Sequence, residues 1–273
     1  MAVLDIQQKA QIRQALLPLP VIDQMQHQNI QGTQPILPGG GHAAHDPAVI
    51  GVDRHIQAEF KLAQFRRLFR DQVGRGKGLG ILTPLLCKHA QKVISVDADE
   101  NLIKKAKSKF ATFDNLVLKS GDGFKKKDIF SIFVSNLPYS RSKDAIEWLA
   151  QNSFSHGVIM VQKEFADKLF ATSKNRRAIS IIAIHAFDIK KISDVGKNNF
   201  SPPPKIDSVI LKISKKTTLD KNLISTINNI FSYRRKTVKN ILKQFNKQST
   251  IEKRVDDLSG DEIINLAKQI LEK

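Results

Sequence analysis

The residues best suited to chemistry stand together at Asn136, Leu137, Pro138 and Tyr139, directly after the apolar run IFSIFVS. An Asn side-chain oxygen and the carbonyl of the next residue can together accept both hydrogens of an exocyclic amine, turning the nitrogen lone pair outward. Pro138 fixes φ beside that carbonyl, and Tyr139 offers a face on which a base can stack. Such a group suits methylation of an amino group on a nucleobase, although four residues alone are explained equally well as a proline turn with a satisfied tyrosine. Asn is a poor base and none is needed, because displacement at a sulfonium methyl depends on an in-line lone pair more than on proton abstraction. The sulfonium loses its charge during transfer, so fixed carbonyl dipoles can tune the step.

Residues that could hold a cofactor lie upstream. Gly76, Gly78 and Gly80 in GRGKGLGILTPLL precede a helical pattern, where glycines allow positive φ and close approach to the backbone and the helix start offers N–H groups. A flexible turn accounts for the cluster as well. Asp97 ends the strand pattern KVISVDAD about twenty residues later, where an acid can take both hydroxyls of a ribose. A strand-end acid is also a common helix cap, and Asp99 before NLIKKA is suited to that role. Asp122 in SGDG can accept from an adenine amine or simply shape a turn. The single cysteine, Cys87, excludes an intrachain disulfide and a cysteine-built zinc site, and no metal is expected.

Charge identifies the class of partner. Lys and Arg number 44 against 26 Asp and Glu, a net +18. Residues 76–273 carry +16 of it, so a polyanion-binding surface belongs to that part, unless the lysines merely solubilise it. Arg234, Arg235, Lys236, Lys239 and Lys243 read as the start of a basic helix, and arginine forks suit phosphates. Arg176 and Arg177 form a weaker second candidate. His156, His185 and Trp148 read as packing residues.

These positions need a frame. The chain has 273 residues, 41% of them hydrophobic, enough for a substantial core. From Gly76 the pattern alternates: a helix at 82–90, the strand KVISVDAD, a helix at 100–110, the strands NLVLKSGD and IFSIFVSNLPY, a helix at 143–150, the strand HGVIMVQ, the helix KEFADKLFA, the apolar run AISIIAIHAF and the segment KIDSVILKI. Strands separated by single helices place most of them in one parallel sheet. After Ser214 helices follow, at 221–231, 235–245 and from 260 onward. Residues 1–75 are different in texture, rich in Gln and His with the run LPGGGHAAH, and only 56–70 carries helical periodicity. The expected division is an atypical, poorly ordered N-terminal segment at 1–75, an α/β domain at 76–214 and a helical, RNA-contacting domain at 215–273. The break near Gly76 is explained by a linker, an unusual extension, or a join created by fusion or a shifted reading frame. No run approaches the roughly 18 apolar residues of a membrane span, and no secretory pattern is visible. A cytoplasmic monomer is expected.

GKGLGILT, VDAD, SGDG, NLPYS, the pair QKE, FSPPPKIDSVI and FSYRRKTVKNIL occur in the order and spacing of the small-subunit ribosomal RNA adenine N6-dimethyltransferases, relatives of the erythromycin-resistance methylases. The chain resembles that family over residues 73–245. The resemblance implies a Rossmann-like α/β sheet using S-adenosyl-L-methionine, a small C-terminal helical domain that helps hold RNA, and methylation, by expectation dimethylation, of adenine N6 in ribosomal RNA of the immature small ribosomal subunit. It places Gly76 and Gly78 along the methionine part of the cofactor, Asp97 at the ribose, Asp122 at the adenine, and Asn136 beside both cofactor and target. Leu137, Pro138 and Tyr139 then hold the target adenine, and Phe200 forms a second aromatic wall; as a residue alone Phe200 reads as core. A stacked target must be flipped out, which costs a few kcal/mol that two aromatic faces offset in part. Residues 1–72 reproduce neither the family's opening Gln/Asn-Phe-Leu segment nor its first strand, and RRLFRDQV makes a poor central strand, so the sheet is expected to lack that strand. Two other readings remain: a catalytically impaired RNA-binding assembly factor on the same fold, and an NAD-dependent dehydrogenase, against which the NLPY turn and the basic segment both speak.

Overall fold

The segments VISVD, IFVSN and HGVIMVQ are buried along nearly their whole length. Strands buried on both faces belong to the middle of a covered sheet. The computed structural model describes residues 82–125, 128–171, 176–200 and 203–272, together with the backbone of Val49–Val52. Ala43–Lys273 is one compact unit. The helical pattern at 56–70 and the glycines Gly76, Gly78 and Gly80 lie outside the described residues.

The strands β1 (Val49–Val52), β2 (Val93–Asp97), β3 (Leu116–Ser120), β4 (Ile132–Asn136), β5 (His156–Gln162), β6 (Phe187–Val195) and β7 (Ser208–Lys215) form one sheet in the order β3, β2, β1, β4, β5, β7, β6. β2 and β3 run parallel, as do β4 and β5, while β7 is antiparallel to both β5 and β6. Five strands therefore share one direction. β6 and β7 are joined with no intervening helix long enough for a crossover, which is why β7 turns back.

The expected gap at the first strand is filled. β1 lies between β2 and β4 and is antiparallel to both, with Ile50 opposite Ser95 on one side and Val134 on the other. A vacancy there would leave two rows of backbone N–H and C=O groups without partners in the middle of the sheet, and the short Val/Ile segment supplies them. This strand does not adjoin the glycines, where the family pattern sets it, because it comes from about twenty-five residues farther upstream and enters in the opposite direction.

Helices cover both faces. On one, α1 (Thr83–Cys87) sets Leu86 and Cys87 against Val93, Ile132, Val134, Val158 and Met160. Burial pushes the Cys87 thiol up to about 11, so it packs as an inert apolar side chain. α1 is shorter than the expected 82–90. α2 (Glu100–Lys109) begins at Asp99, whose carboxylate accepts the N–H groups of Asn101 and Leu102 at 2.8 and 3.4 Å, the capping role its sequence position suggests. On the other face α3 (Ser142–Gln151), α4 (Lys163–Phe170) and α5 (Ala178–Ala186) pack on Phe133, Ile159, Val161, Leu211 and Ile213. The run AISIIAIHAF divides into α5 and the start of β6. It is apolar all round because the same cluster continues past it into α6 (Lys221–Ser232), α7 (Val238–Gln244) and α8 (Gly260–Leu271). Trp148 stacks on Phe130 at 5.4 Å between ring centres, a packing role as expected.

Candidate functional site

Register brings the candidate residues to one level. Ser95 and Val134 both stand opposite Ile50, so Asp97 and Asn136, each two residues further along strands of the same direction, share the next rung and the same face. One strand separates them, which sets their backbones roughly 9–10 Å apart. Ser120 is level with Asp97, and Met160 is level with Asn136. This is the carboxyl edge of the sheet, where open α/β folds bind ligands. Val93 and Val134, which precede Asp97 and Asn136 on that face, belong to the cluster against which Phe200 packs from the loop after β6. Asp97, Asn136 and Phe200 thus converge on one face at one edge.

Local bonds set each side chain. Asp97 is 8% exposed, and its Oδ1 accepts the N–H of Asp99 at 2.8 Å. Gly121, at φ 119°, lets the chain leave β3 sharply and donates its N–H to the Asp97 carbonyl at 2.9 Å. Asp122 follows, with Oδ1 accepting the Phe124 N–H at 3.0 Å and Oδ2 lying 3.2 Å from Nη2 of Arg141. Burial pushes the Asp122 carboxyl up, but the Phe124 N–H and the Arg141 guanidinium outweigh it and hold the group below the usual carboxylate range. It is ionised at neutral pH.

The turn after β4 is pinned on three sides. Leu137 is buried and donates its N–H to the Met160 carbonyl at 3.1 Å, Pro138 has φ −56° and ψ 130°, and its carbonyl accepts the Arg141 N–H at 2.9 Å. Tyr139 Oη lies 2.9 Å from Oγ of Ser208, a fully buried hydroxyl at the start of β7. Ser208 and Arg141 carry this geometry, and sequence reasoning missed both. Their partners lie 69 and 19 residues away, beyond any local pattern.

The basic candidates form their own group between α6 and α8. They do not begin a helix together: α7 starts at Val238 because the Thr237 hydroxyl caps it, accepting the Asn240 N–H at 3.4 Å, and Arg234, Arg235 and Lys236 occupy the turn before it. Arg234 Nε is 4.0 Å from Asp256, Lys239 Nζ is 3.0 Å from Glu252, and Lys236 lies over the Tyr233 ring at 4.8 Å. Arg235 is exposed. Arg176 is turned inward, donating to the carbonyls of Asp256 and Leu258. Burial lowers the pKa of both His156 and His185, so neither is charged at neutral pH.

The family model described as ribosomal RNA adenine dimethylase matches residues 73–270. The chain belongs to that family. Among relatives, the ribosomal RNA small subunit methyltransferase A of Borrelia garinii subsp. bavariensis is 34% identical over 216 residues, covering 71% of this chain and 76% of its own. The enzyme of the same name from Thermotoga petrophila is 31% identical over 198 residues, covering 69% and 76%. A crystal structure of a dimethyladenosine transferase from Plasmodium falciparum superposes with a TM-score of 0.59 at 27% identity, over 72% of this chain and 88% of that one. As a family member the chain is an S-adenosylmethionine-dependent methyltransferase of Rossmann-like fold acting on ribosomal RNA. Family membership overturns the dehydrogenase reading and does not favour the impaired assembly factor. The residues present fit the cofactor: Asp97 sets a nearly buried carboxylate at a strand end, the acceptor that vicinal ribose hydroxyls need, and Asp122 adds a second, ionised acceptor one strand over.

Proposed function

We propose that this chain binds S-adenosylmethionine across the carboxyl ends of β2 and β3, with Asp97 at the ribose and Asp122 at the adenine. Asn136, Leu137, Pro138 and Tyr139 then present the N6 amine of an adenine in small-subunit ribosomal RNA. The observation that carries this reading is the common rung and face of Asp97 and Asn136, one strand apart.

When bound, the cofactor supplies an electrophilic methyl group on a cationic sulfur. Asn136 Oδ1 and the Leu137 carbonyl accept the two amine hydrogens, which aims the nitrogen lone pair away from the strand end. The buried Leu137 side chain and its N–H bond to Met160 fix the position of that carbonyl. Tyr139 and Phe200 offer faces to the extruded base, and the proton released from the product amine passes to water. The turn Arg234–Lys236, with Lys239, supplies phosphate contacts as part of a C-terminal RNA-holding region at 215–273. The substrate proposed is the immature small subunit, and the enzyme acts as a cytoplasmic monomer.

Asn136→Ala tests the assignment. Loss of one preorganised hydrogen-bond partner of the reacting group lowers turnover by about 10²–10³ in comparable sites, so methyl incorporation into unmethylated small subunits is expected to fall by that factor while RNA affinity stays within about twofold. Unchanged turnover removes Asn136 from the amine-positioning role.

A further inference from the structure

The loop after β3 and the turn after β4 leave the sheet from strands with β2 and β1 between them, roughly 14 Å apart at the level of the rungs. Arg141 joins them. Its Nη2 lies 3.2 Å from Oδ2 and 3.5 Å from Oδ1 of Asp122, its Nε lies 2.8 Å from Oδ2 of Asp144 at the start of α3, and its guanidinium sits 5.0 Å from the centre of the Phe124 ring. Its own N–H is bonded to the Pro138 carbonyl, inside the turn assigned to the target base. One side chain is therefore anchored in the amine-presenting turn and holds the carboxylate assigned to the cofactor's adenine.

We propose that Arg141 is a positioning residue that sets Asp122 for the adenine of the cofactor and fixes the cofactor loop relative to the turn that presents the target amine. The inference rests on the function proposed above. A carboxylate has about four acceptor sites; the Phe124 N–H takes one on Oδ1 and Arg141 Nη2 bonds chiefly to Oδ2, its Nε being used on Asp144, which leaves acceptor capacity for an exocyclic amine without displacing the arginine. The Nη2 bond also removes rotational freedom that a lone Asp would lose on binding. The charged groups facing Asp122 are Arg141 from the turn after β4 and Lys125 from its own loop, with Asp144 beyond Arg141.

The test is calorimetry of S-adenosylhomocysteine binding to the full chain from pH 3.5 to 7, a range that reaches down toward the lowered titration of Asp122, beside turnover at saturating cofactor. Arg141→Met keeps an apolar stem over Phe124 and removes the guanidinium. Its affinity is expected to fall about three- to tenfold, up to about 1.4 kcal/mol. The acid limb of its affinity is expected to move to higher pH as Asp122 protonates more readily, and turnover at saturating cofactor is expected to fall as well, because the cofactor loop and the amine-presenting turn are no longer tied together. Arg141→Lys, which retains the charge, is expected to restore the acid limb but only part of the affinity, and it carries the test alone if the Met variant does not fold. Folded variants with unchanged affinity and an unmoved acid limb overturn the proposal, and so does a loss confined to thermal stability. If the unsubstituted chain binds no S-adenosylhomocysteine, the proposed function itself fails. Normal binding by the parent with no effect at Arg141 refutes this inference alone.

Discussion

Tyr139 has two separable duties, and a single atom distinguishes them. Its ring is assigned to the target base, while its hydroxyl lies 2.9 Å from the Ser208 hydroxyl, which has no solvent exposure. Tyr139→Phe keeps the ring and leaves the Ser208 Oγ buried without that bond. The net value of such a bond is about 1 kcal/mol and the cost of a stranded buried hydroxyl about 1–3 kcal/mol, so the loss is set near 1–2 kcal/mol. For a domain of this size each kcal/mol lowers the midpoint by about 2–4 °C. Thermal unfolding followed by circular dichroism reads this effect, and methyl incorporation into ribosomal RNA at saturating cofactor reads the other. The Phe variant is expected to melt early and turn over within about threefold of the parent. Tyr139→Ala also loses the stacking face, worth about 1–3 kcal/mol per base, or about five- to 150-fold in transfer. If Phe loses transfer as severely as Ala with no change in melting, the hydroxyl acts on substrate and the division of labour is wrong.

Other perturbations test the frame and the partner. Gly51→Pro removes an N–H from a strand paired on both sides, at the position opposite Ile94 and Phe133; a loss of about 1–3 kcal/mol is expected in thermal unfolding, and an unchanged midpoint means that β1 does not complete the sheet. Lys215 donates to the carbonyls of Leu149 and Ala150 at 2.8 and 2.7 Å, and burial pushes its pKa down to about 8 from the ordinary 10.5. Between those values the unfolded chain binds the extra proton, so this group makes stability rise with pH through that window. Lys215→Met is expected to lack that rise in denaturant titrations from pH 7.5 to 10. Both carbonyls keep a backbone partner, Asn152 N–H at 3.2 Å and Leu219 N–H at 2.9 Å. Replacing Arg234 and Arg235 with Ala is expected to weaken RNA binding and lower its salt slope by about 0.7–0.9 for each phosphate that is no longer neutralised, with the larger share from exposed Arg235; an unchanged slope means that this turn faces away from RNA.

Legibility in the sequence followed locality. VISVD and IFVSN read as strands because burial on both faces puts apolar residues on both, and Asp99 read as a cap because its bonds reach only two and three residues. The rung shared by Asp97 and Asn136 follows from strand order and register, which no local pattern carries. β1 was hidden because a four-residue segment has little periodicity and its direction is decided by its neighbours. The start of α7 was misjudged because charge periodicity continues through Arg234–Lys236, whereas Thr237 decides where the helix begins. Ser208 and the Asp122 contact of Arg141 were silent because those partners are remote in the chain.

The central claim is that one cleft at the sheet edge joins a cofactor methyl to an adenine amine. The direct measurement uses the purified full chain, small subunits lacking dimethyladenosine and S-adenosylmethionine labelled in its methyl group, with nucleoside mass spectrometry of the product RNA. Label in N6-methylated adenosine with the parent, and its loss with Asn136→Ala and with Asp97→Ala, is the expected result. Label on any other atom, or undiminished N6 label with Asn136→Ala, contradicts the claim.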